Sequence, residues 1–204
     1  MSKGRQQPTK AGSFYSHIYG SDSPSATRRF FINSILVVVG LNAIGLYIDF
    51  VPSGTWSEIS WRIAFSMGAA ITVFVWSSYW TGDAKFKAGT SGWRIALFFV
   101  FTPPVSVLFI WGALTHGSAS LVALSLGQEA VLQRELKKDD NWDRRACGHR
   151  LRGEFLEPAF PSHYCLNPQA YESLPDRGTY LITGRQHFLG FIIESVSLAE
   201  RQSE

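Results

Sequence analysis

Three long apolar segments, each without a charged residue, dominate the first half of the chain. They cover residues 30–48, 63–80 and 95–113. As α-helices, segments of this length can cross the roughly 30 Å hydrocarbon core of a bilayer. The pattern therefore predicts three transmembrane helices within a membrane region of residues 30–116. The mean hydropathy of +0.02 averages this region with a charged C-terminal part.

The hydrophobic pattern changes after residue 116. Residues 117–127 predict a linker with a short interfacial helix over Ser118–Leu126, although a strand is the alternative. Residues 128–204 show alternating apolar and polar positions with turn residues between them, which is typical of short strands. Asn167 and Pro168 predict a helix start, because asparagine caps and proline suits the first turn. We predict strands at residues 129–137, 146–155, 162–166, 179–183 and 188–198, with a hairpin loop at 184–187. The predicted fold is three transmembrane α-helices followed by a small antiparallel β domain (α+β).

The distribution of basic residues predicts the orientation in the membrane. The N-terminal tail, residues 1–29, is rich in Lys and Arg, and so is the loop of residues 81–94, whereas the first loop has only Arg62 at its edge. Cytoplasmic loops are enriched in Lys and Arg, so the mostly disordered tail is placed in the cytoplasm and the β domain in the periplasm. We expect a multi-pass protein of a bacterial-type inner membrane. Its layout is typical of no single family.

Small and polar residues in the apolar segments predict where the helices pack. Asn42 lies near the middle of the first segment, where an amide needs a partner on another helix. The second segment contains two overlapping small-xxx-small patterns, which allow close approach of helix backbones. Their residues are Ala64 with Gly68, and Ser66 with Ala70.

Pro103 and Pro104 lie in the centre of the third segment. Proline removes a backbone donor and clashes with the preceding turn, so a kink is expected here. A static kink and a functional hinge are both compatible with the pattern.

The two cysteines, Cys147 and Cys165, both lie in the predicted periplasmic domain. Cysteine pairs in an oxidising compartment usually form a disulfide. The loop closed by this bond would stabilise a small domain by roughly 3 kcal/mol on the chain-entropy model.

A zinc site is the alternative use of the same cysteines. Cys147-x-His149 and His163-x-Cys165 form a mirrored pattern. Residues two apart on a strand face the same side, so paired strands could bring four zinc donors together. An oxidising compartment favours the disulfide.

The candidate chemistry beyond this pair is sparse. The net charge of +3 is small, and no arm for nucleic-acid binding is present. We recognise no nucleophile elbow, phosphate loop or cofactor motif, so no catalytic or cofactor-binding residue is predicted. A basic set in the β domain predicts either a solvated strand face or contacts with lipid head groups, peptidoglycan or a partner; it comprises Arg144, Arg145, Arg150 and Arg152.

The sequence therefore favours a non-enzymatic binding, accessory or protective module of the cell envelope. Its expected partners are the lipid bilayer and an envelope protein that contacts the outer domain. One alternative is an enzyme with a site at the membrane–domain junction, near His116 and Arg62 and the acidic turn at 139–140. Another is a small transport or channel subunit with a path lined by Asn42, Ser66 and Thr72.

Overall fold

The computed structural model describes residues 26–82, 85–86, 89–139 and 147–199. The chain divides into two compact units, Met1–Val38 and Val39–Glu204. In the first unit, the described residues 26–38 form the first part of helix α1, Ala26–Tyr47. The remaining elements all belong to the second unit.

In the second unit, a short strand and a run of helices precede most of the strands. Strand β1 (Phe50–Pro52) precedes helix α2 (Gly54–Trp80), and helix α3 (Gly92–Gly112) follows. A π-helical segment, Ala113–Ser118, leads directly into α4 (Ala119–Leu126). The described elements that follow are β2 (Gln128–Asp139), β3 (Arg150–Arg152), a short 3-10 helix (Glu154–Leu156), β4 (Tyr164–Cys165), α5 (Pro168–Ser173), β5 (Arg177–His187) and β6 (Gly190–Leu198).

Among the described residues, three helices are long and apolar enough to cross a membrane. They are Arg29–Tyr47, Gly54–Trp80 and the continuous Gly92–Leu126, which includes α3, the π segment and α4. The second helix begins earlier than the apolar run at residue 63 indicates, because Ser53 caps it by accepting a hydrogen bond from the Trp56 backbone N–H. The α3 helix continues through Pro103 and Pro104.

The strands form one six-stranded sheet in the order β1-β6-β5-β2-β3-β4, with every neighbouring pair antiparallel. Strand β1 was not predicted, since Phe50–Pro52 is only three residues long and reads as a link between two helices. The predicted hairpin loop at 184–187 was wrong, because these residues belong to β5 and pair with β6. Gly184 permits this pairing: a methyl group there would collide with the Ile192 carbonyl of β6.

Hydrophobic clusters cover both faces of the sheet. Side chains alternate between faces along a strand, so neighbouring residues enter different clusters. Val51 and Phe191 belong to the first cluster, together with Leu136, Leu151, Leu156, Tyr180, Ile182 and Ile193. Phe50 and Ile192 belong to the second, where they pack with Ala119 and Ala123 of α4. The region predicted as an interfacial helix is therefore helical, and one of its sides covers the sheet.

Candidate functional site

A cavity of about 590 Å³ lies where the ends of α2 and α3 meet the sheet. We call it the junction cavity. Its helical wall is formed by Ser57 of α2, Trp111 of α3 and His116 of the π segment. Its other wall is formed by β3 and the loop of residues 157–163, which contribute Arg150, Arg152, Glu157 and His163 among others. Ligand pockets of proteins commonly have volumes in this range.

The π segment positions His116 in this cavity. Isolated π-helical turns are rare and occur frequently at functional sites. His116 is only 5 % exposed, and neither of its ring nitrogens has a hydrogen-bond partner among the described residues. Its ring makes an edge contact with Trp111, with centroids 5.6 Å apart. A buried hydroxyl pair, Ser60 Oγ and Thr115 Oγ1 at 2.7 Å, joins α2 to the segment one residue before His116.

Strand β3 positions two arginines on the same side, because Arg150 and Arg152 are two residues apart. Arg150 is 6 % exposed, and its Nε donates a hydrogen bond to the Cys147 carbonyl at 2.7 Å. No carboxylate of the described chain forms an ion pair with Arg150. Arg152 forms an ion pair with Asp139, with Nε and Oδ2 2.8 Å apart. The geometry of that contact is not that of a well-directed hydrogen bond.

His163 lies on the same side of the cavity as the two arginines. Its Nε2 is buried without a hydrogen-bond partner in the described part of the chain. Burial lowers the pKa of His163, the positive charges of Arg150 and Arg152 lower it further, and Asp139 raises it. The ring is therefore neutral near pH 7 and offers one N–H donor.

The sequence offered a solvated strand face as one interpretation of the basic set. For Arg150 this interpretation is wrong, because the side chain is buried. Arg144 and Arg145 lie outside the described residues. No local signal in the sequence separates Arg150 from Arg152, because burial of this strand depends on the loop that folds over it.

The cysteine pair lies beside the cavity wall. Cys147 and Cys165 are at disulfide-bonding distance, with their Cα atoms 5.9 Å apart. Strand β4 pairs with β3 so that Cys165 lies opposite Arg150. The bond would therefore connect the two ends of the segment that forms one wall of the junction cavity.

Three of the four proposed zinc donors also come together. Donor atoms of Cys147, His163 and Cys165 lie within 4.8 Å of one another. His149 is not part of this group, and its ring lies against Tyr171 at 4.7 Å. Zinc binds cysteine as a thiolate, so the two sulfurs serve either the disulfide or an ion.

The predicted packing residues lie in different environments. Ala64 and Gly68 are buried in α2, and a methyl group at Gly68 would lie 2.6 Å from a Val107 methyl group of α3. Ser66 and Ala70 are exposed. Asn42 of α1 donates to the Phe109 carbonyl of α3 at 2.9 Å.

A second and more open feature runs along the sheet. This groove, of about 910 Å³, is lined by residues of β1, β2, β3, β5 and β6 and by Gly54 at the start of α2. Its charged lining consists of Arg134, Lys137, Arg152 and Arg177 together with Glu135 and Glu154. Arg177 pairs with Glu135 at 3.1 Å, and Arg134 lies over the Phe155 ring. The groove therefore has an excess of positive charge.

Comparison with known proteins identifies no relative: no family model, curated protein or solved structure matches the chain.

Proposed function

We propose that the chain is an integral protein of a bacterial-type inner membrane and that its β domain, residues 128–204, is a non-enzymatic binding module for an envelope partner. The N-terminal tail lies in the cytoplasm and the β domain in the periplasm. Residues 117–127 connect the membrane region to this domain. The three apolar helices and the positions of the basic residues support the proposal.

The pairing of β1 with β6 is the observation that most strongly favours this topology. Phe50 lies between the first two apolar helices, and its partner Ile192 lies after the third. Two segments of one sheet must be on the same side of a membrane. Three crossings put the first loop and the C-terminal domain on the same side, as the sheet requires.

Further contacts attach the sheet firmly to the helix ends. Ser53, the cap of α2, donates from its backbone to the Leu189 carbonyl and from its hydroxyl to the Phe188 carbonyl. Arg185 of β5 donates to the Leu124 carbonyl of α4 at 2.8 Å. The binding module is thus held directly at the helix ends, not on a flexible linker.

The groove along the sheet is the surface through which the module binds its partner. The excess of arginine and lysine in its lining favours a partner segment of net negative charge. The exposed, paired charges of Arg177 and Glu135 are typical of an interface rim, which sets specificity and association rate more than affinity.

The topology is tested with reporter fusions in living bacteria. An alkaline phosphatase fused after Glu204 should be active, because this enzyme folds only in the periplasm. The same enzyme fused at Lys85, in the second loop, should be inactive. The reverse pattern would refute the topology.

The binding role is tested with a photo-crosslinking amino acid in intact cells. A crosslinker at Lys137 in the groove should yield one discrete adduct with an envelope protein. The same crosslinker at Glu172, an exposed residue of α5 outside the groove lining, is the matched control and should not yield it. Arg177→Glu should reduce the Lys137 adduct several-fold. An adduct that ignores this charge reversal, or that forms equally at Glu172, would contradict the proposal.

A further inference from the structure

The junction cavity contains a buried cation that the described protein does not neutralise. Arg150 is only 6 % exposed. Its Nε donates a hydrogen bond to the Cys147 carbonyl, which carries no charge. A guanidinium does not lose its proton in a protein. Because a buried charge without a counter-charge is strongly unfavourable, such a group marks a place where an anion is expected.

Two imidazoles point to the same chemistry. His116 is 5 % exposed, and both of its ring nitrogens lack partners among the described residues. His163 Nε2 is likewise buried without a partner. A neutral imidazole has one N–H, so each ring can donate one hydrogen bond into the cavity.

The lining therefore combines donors from two separate elements, the π segment and β3 with its following loop. Arg152 is already paired with Asp139 beside the cavity, and the remaining carboxylate of the lining, Glu157, is exposed. Arg150 is therefore the arginine of this lining without an ion-pair partner in the described chain. Arginine binds phosphate through two parallel N–H groups, which favours phosphate over a monatomic anion.

We propose that the junction cavity binds a phosphate group, with Arg150 and His116 as the principal donors. The group comes from a phospholipid of the surrounding leaflet or from a soluble phosphate compound. The position of the cavity favours the lipid. Trp111, at the end of the apolar α3, lines it, and tryptophan is enriched at membrane interfaces. Phe160, which is 60 % exposed, adds an apolar edge for acyl chains.

The junction cavity and the groove share Arg152, but the proposed phosphate donors Arg150 and His116 do not line the groove. Only the lipid source depends on the helices crossing a bilayer, so loss of the partner adduct at Lys137 leaves the phosphate site unaffected. Conversely, failure of phosphate binding leaves the proposed topology and groove intact.

The test uses the full-length protein, purified and delipidated in an uncharged detergent. Short-chain phosphatidylglycerol, inorganic phosphate and a diacylglycerol of equal chain length are each titrated, and binding is followed by thermal unfolding and native mass spectrometry. Phosphatidylglycerol should bind saturably, and diacylglycerol should not. Saturable binding of inorganic phosphate alone would also support the site and would assign it to a soluble ligand.

Substitutions at Arg150 and His116 identify the donors, with a substitution at Arg177 as the control. Arg150→Gln should weaken binding at least tenfold, whereas without ligand its midpoint of unfolding should equal or exceed that of the native protein, because an uncompensated buried charge has been removed. A merely structural Arg150 would instead give a lower midpoint and unchanged binding. Arg177→Gln, in the groove, is the matched control and should bind normally.

His116 provides a second route in case Arg150→Gln does not fold. His116→Leu removes the donor and should weaken binding at least tenfold, whereas His116→Gln retains an N–H donor and should restore most of it. Absence of binding by both phosphate compounds, equal binding of diacylglycerol, or native binding by Arg150→Gln and His116→Leu would overturn the proposal.

Discussion

The groove along the sheet and the junction cavity both contain arginines, and they differ in how those arginines are satisfied. In the groove, Arg177 is exposed and paired with Glu135, so its charge is solvated with or without a ligand. In the junction cavity, Arg150 is buried and has no described carboxylate partner. The number of basic residues in a lining therefore does not identify a binding site. A positive charge that is buried without a partner does indicate one, because its burial is unfavourable until an anion binds.

The largest expected loss of stability concerns the cysteine pair. The pair joins the two ends of the segment that forms one wall of the junction cavity, and it does not line the groove. Replacing Cys147 and Cys165 by serine should lower the free energy of unfolding by roughly 3 kcal/mol, since the pair closes a loop of 18 residues. Denaturant unfolding in detergent measures this change. Phosphate binding should weaken with it, whereas the crosslink at Lys137 should persist.

The native protein in reductant is the control and should match the double serine variant. Labelling should find no reactive thiol before reduction. If a chelator destabilises the protein that has not been treated with reductant and exposes two thiols, the zinc alternative with Cys147, His163 and Cys165 replaces the disulfide.

The next effect concerns the fit of α1 against the π segment that holds His116. A methyl group at Gly45 would lie 2.8 Å from His116 Cβ and 3.0 Å from the Gly117 nitrogen. Gly45→Ala should therefore destabilise the protein by about 1–3 kcal/mol, because overpacking displaces the segment. Phosphate binding should fall as well.

Gly40→Ala is the matched control on the same helix, since a methyl group there has no neighbour within 4 Å. Its unfolding midpoint should be unchanged or slightly higher, given the better helix propensity of alanine. Equal effects of the two substitutions on thermal unfolding would argue against the close contact at His116.

A smaller effect is expected at the hydroxyl pair beneath the junction cavity. Ser60→Ala leaves the fully buried Thr115 hydroxyl without its partner at 2.7 Å, and this should cost about 1 kcal/mol. The double variant Ser60→Ala with Thr115→Val should recover part of that loss in an unfolding assay. Ser66→Ala, an exposed hydroxyl bonded within its own helix, should change little. A comparable loss at Ser66 would show that the effect is not specific to the junction.

The smallest effect is expected in the groove. A double-mutant cycle of Glu135→Gln and Arg177→Gln should give a coupling energy of about 0–1 kcal/mol, because both side chains are exposed and water screens the pair. Unfolding of the two single variants and the double variant measures it. A coupling of several kcal/mol would mean that the groove pair is not screened by water and that the groove and the junction cavity do not differ in this respect.

Local patterns predicted much of the fold. The apolar runs correspond to the three helices that could cross a membrane. Asn167 and Pro168 correctly predicted the start of α5. This signal is local, because the Asn167 side chain caps the helix by accepting a hydrogen bond from the Ala170 backbone N–H, three residues along the chain. The prediction missed β1 and ended β5 too early, because both depend on pairing with β6, a partner that no local pattern specifies.

Local sequence patterns predicted less of the candidate site than of the fold. His116 was singled out by its place near the membrane–domain junction, but its burial follows from contacts with Trp111 and with the 157–163 loop. The buried state of Arg150 was not predicted, because Arg150 and Arg152 have the same spacing and neighbours as residues of a solvated strand.

The sequence by itself determined the three apolar helices, the change to a strand-rich domain and the sparse motif chemistry, because length, hydrophobicity and turn residues act over a few neighbouring positions. Only the tertiary structure decided that Phe50–Pro52 joins the C-terminal sheet, that Cys147 and Cys165 come within bonding distance, and that a buried arginine and a buried histidine line the same cavity. Those arrangements arise from strand pairing and packing between residues far apart in the chain. The free energy of such contacts depends on both partners, so the sequence of one segment does not determine it.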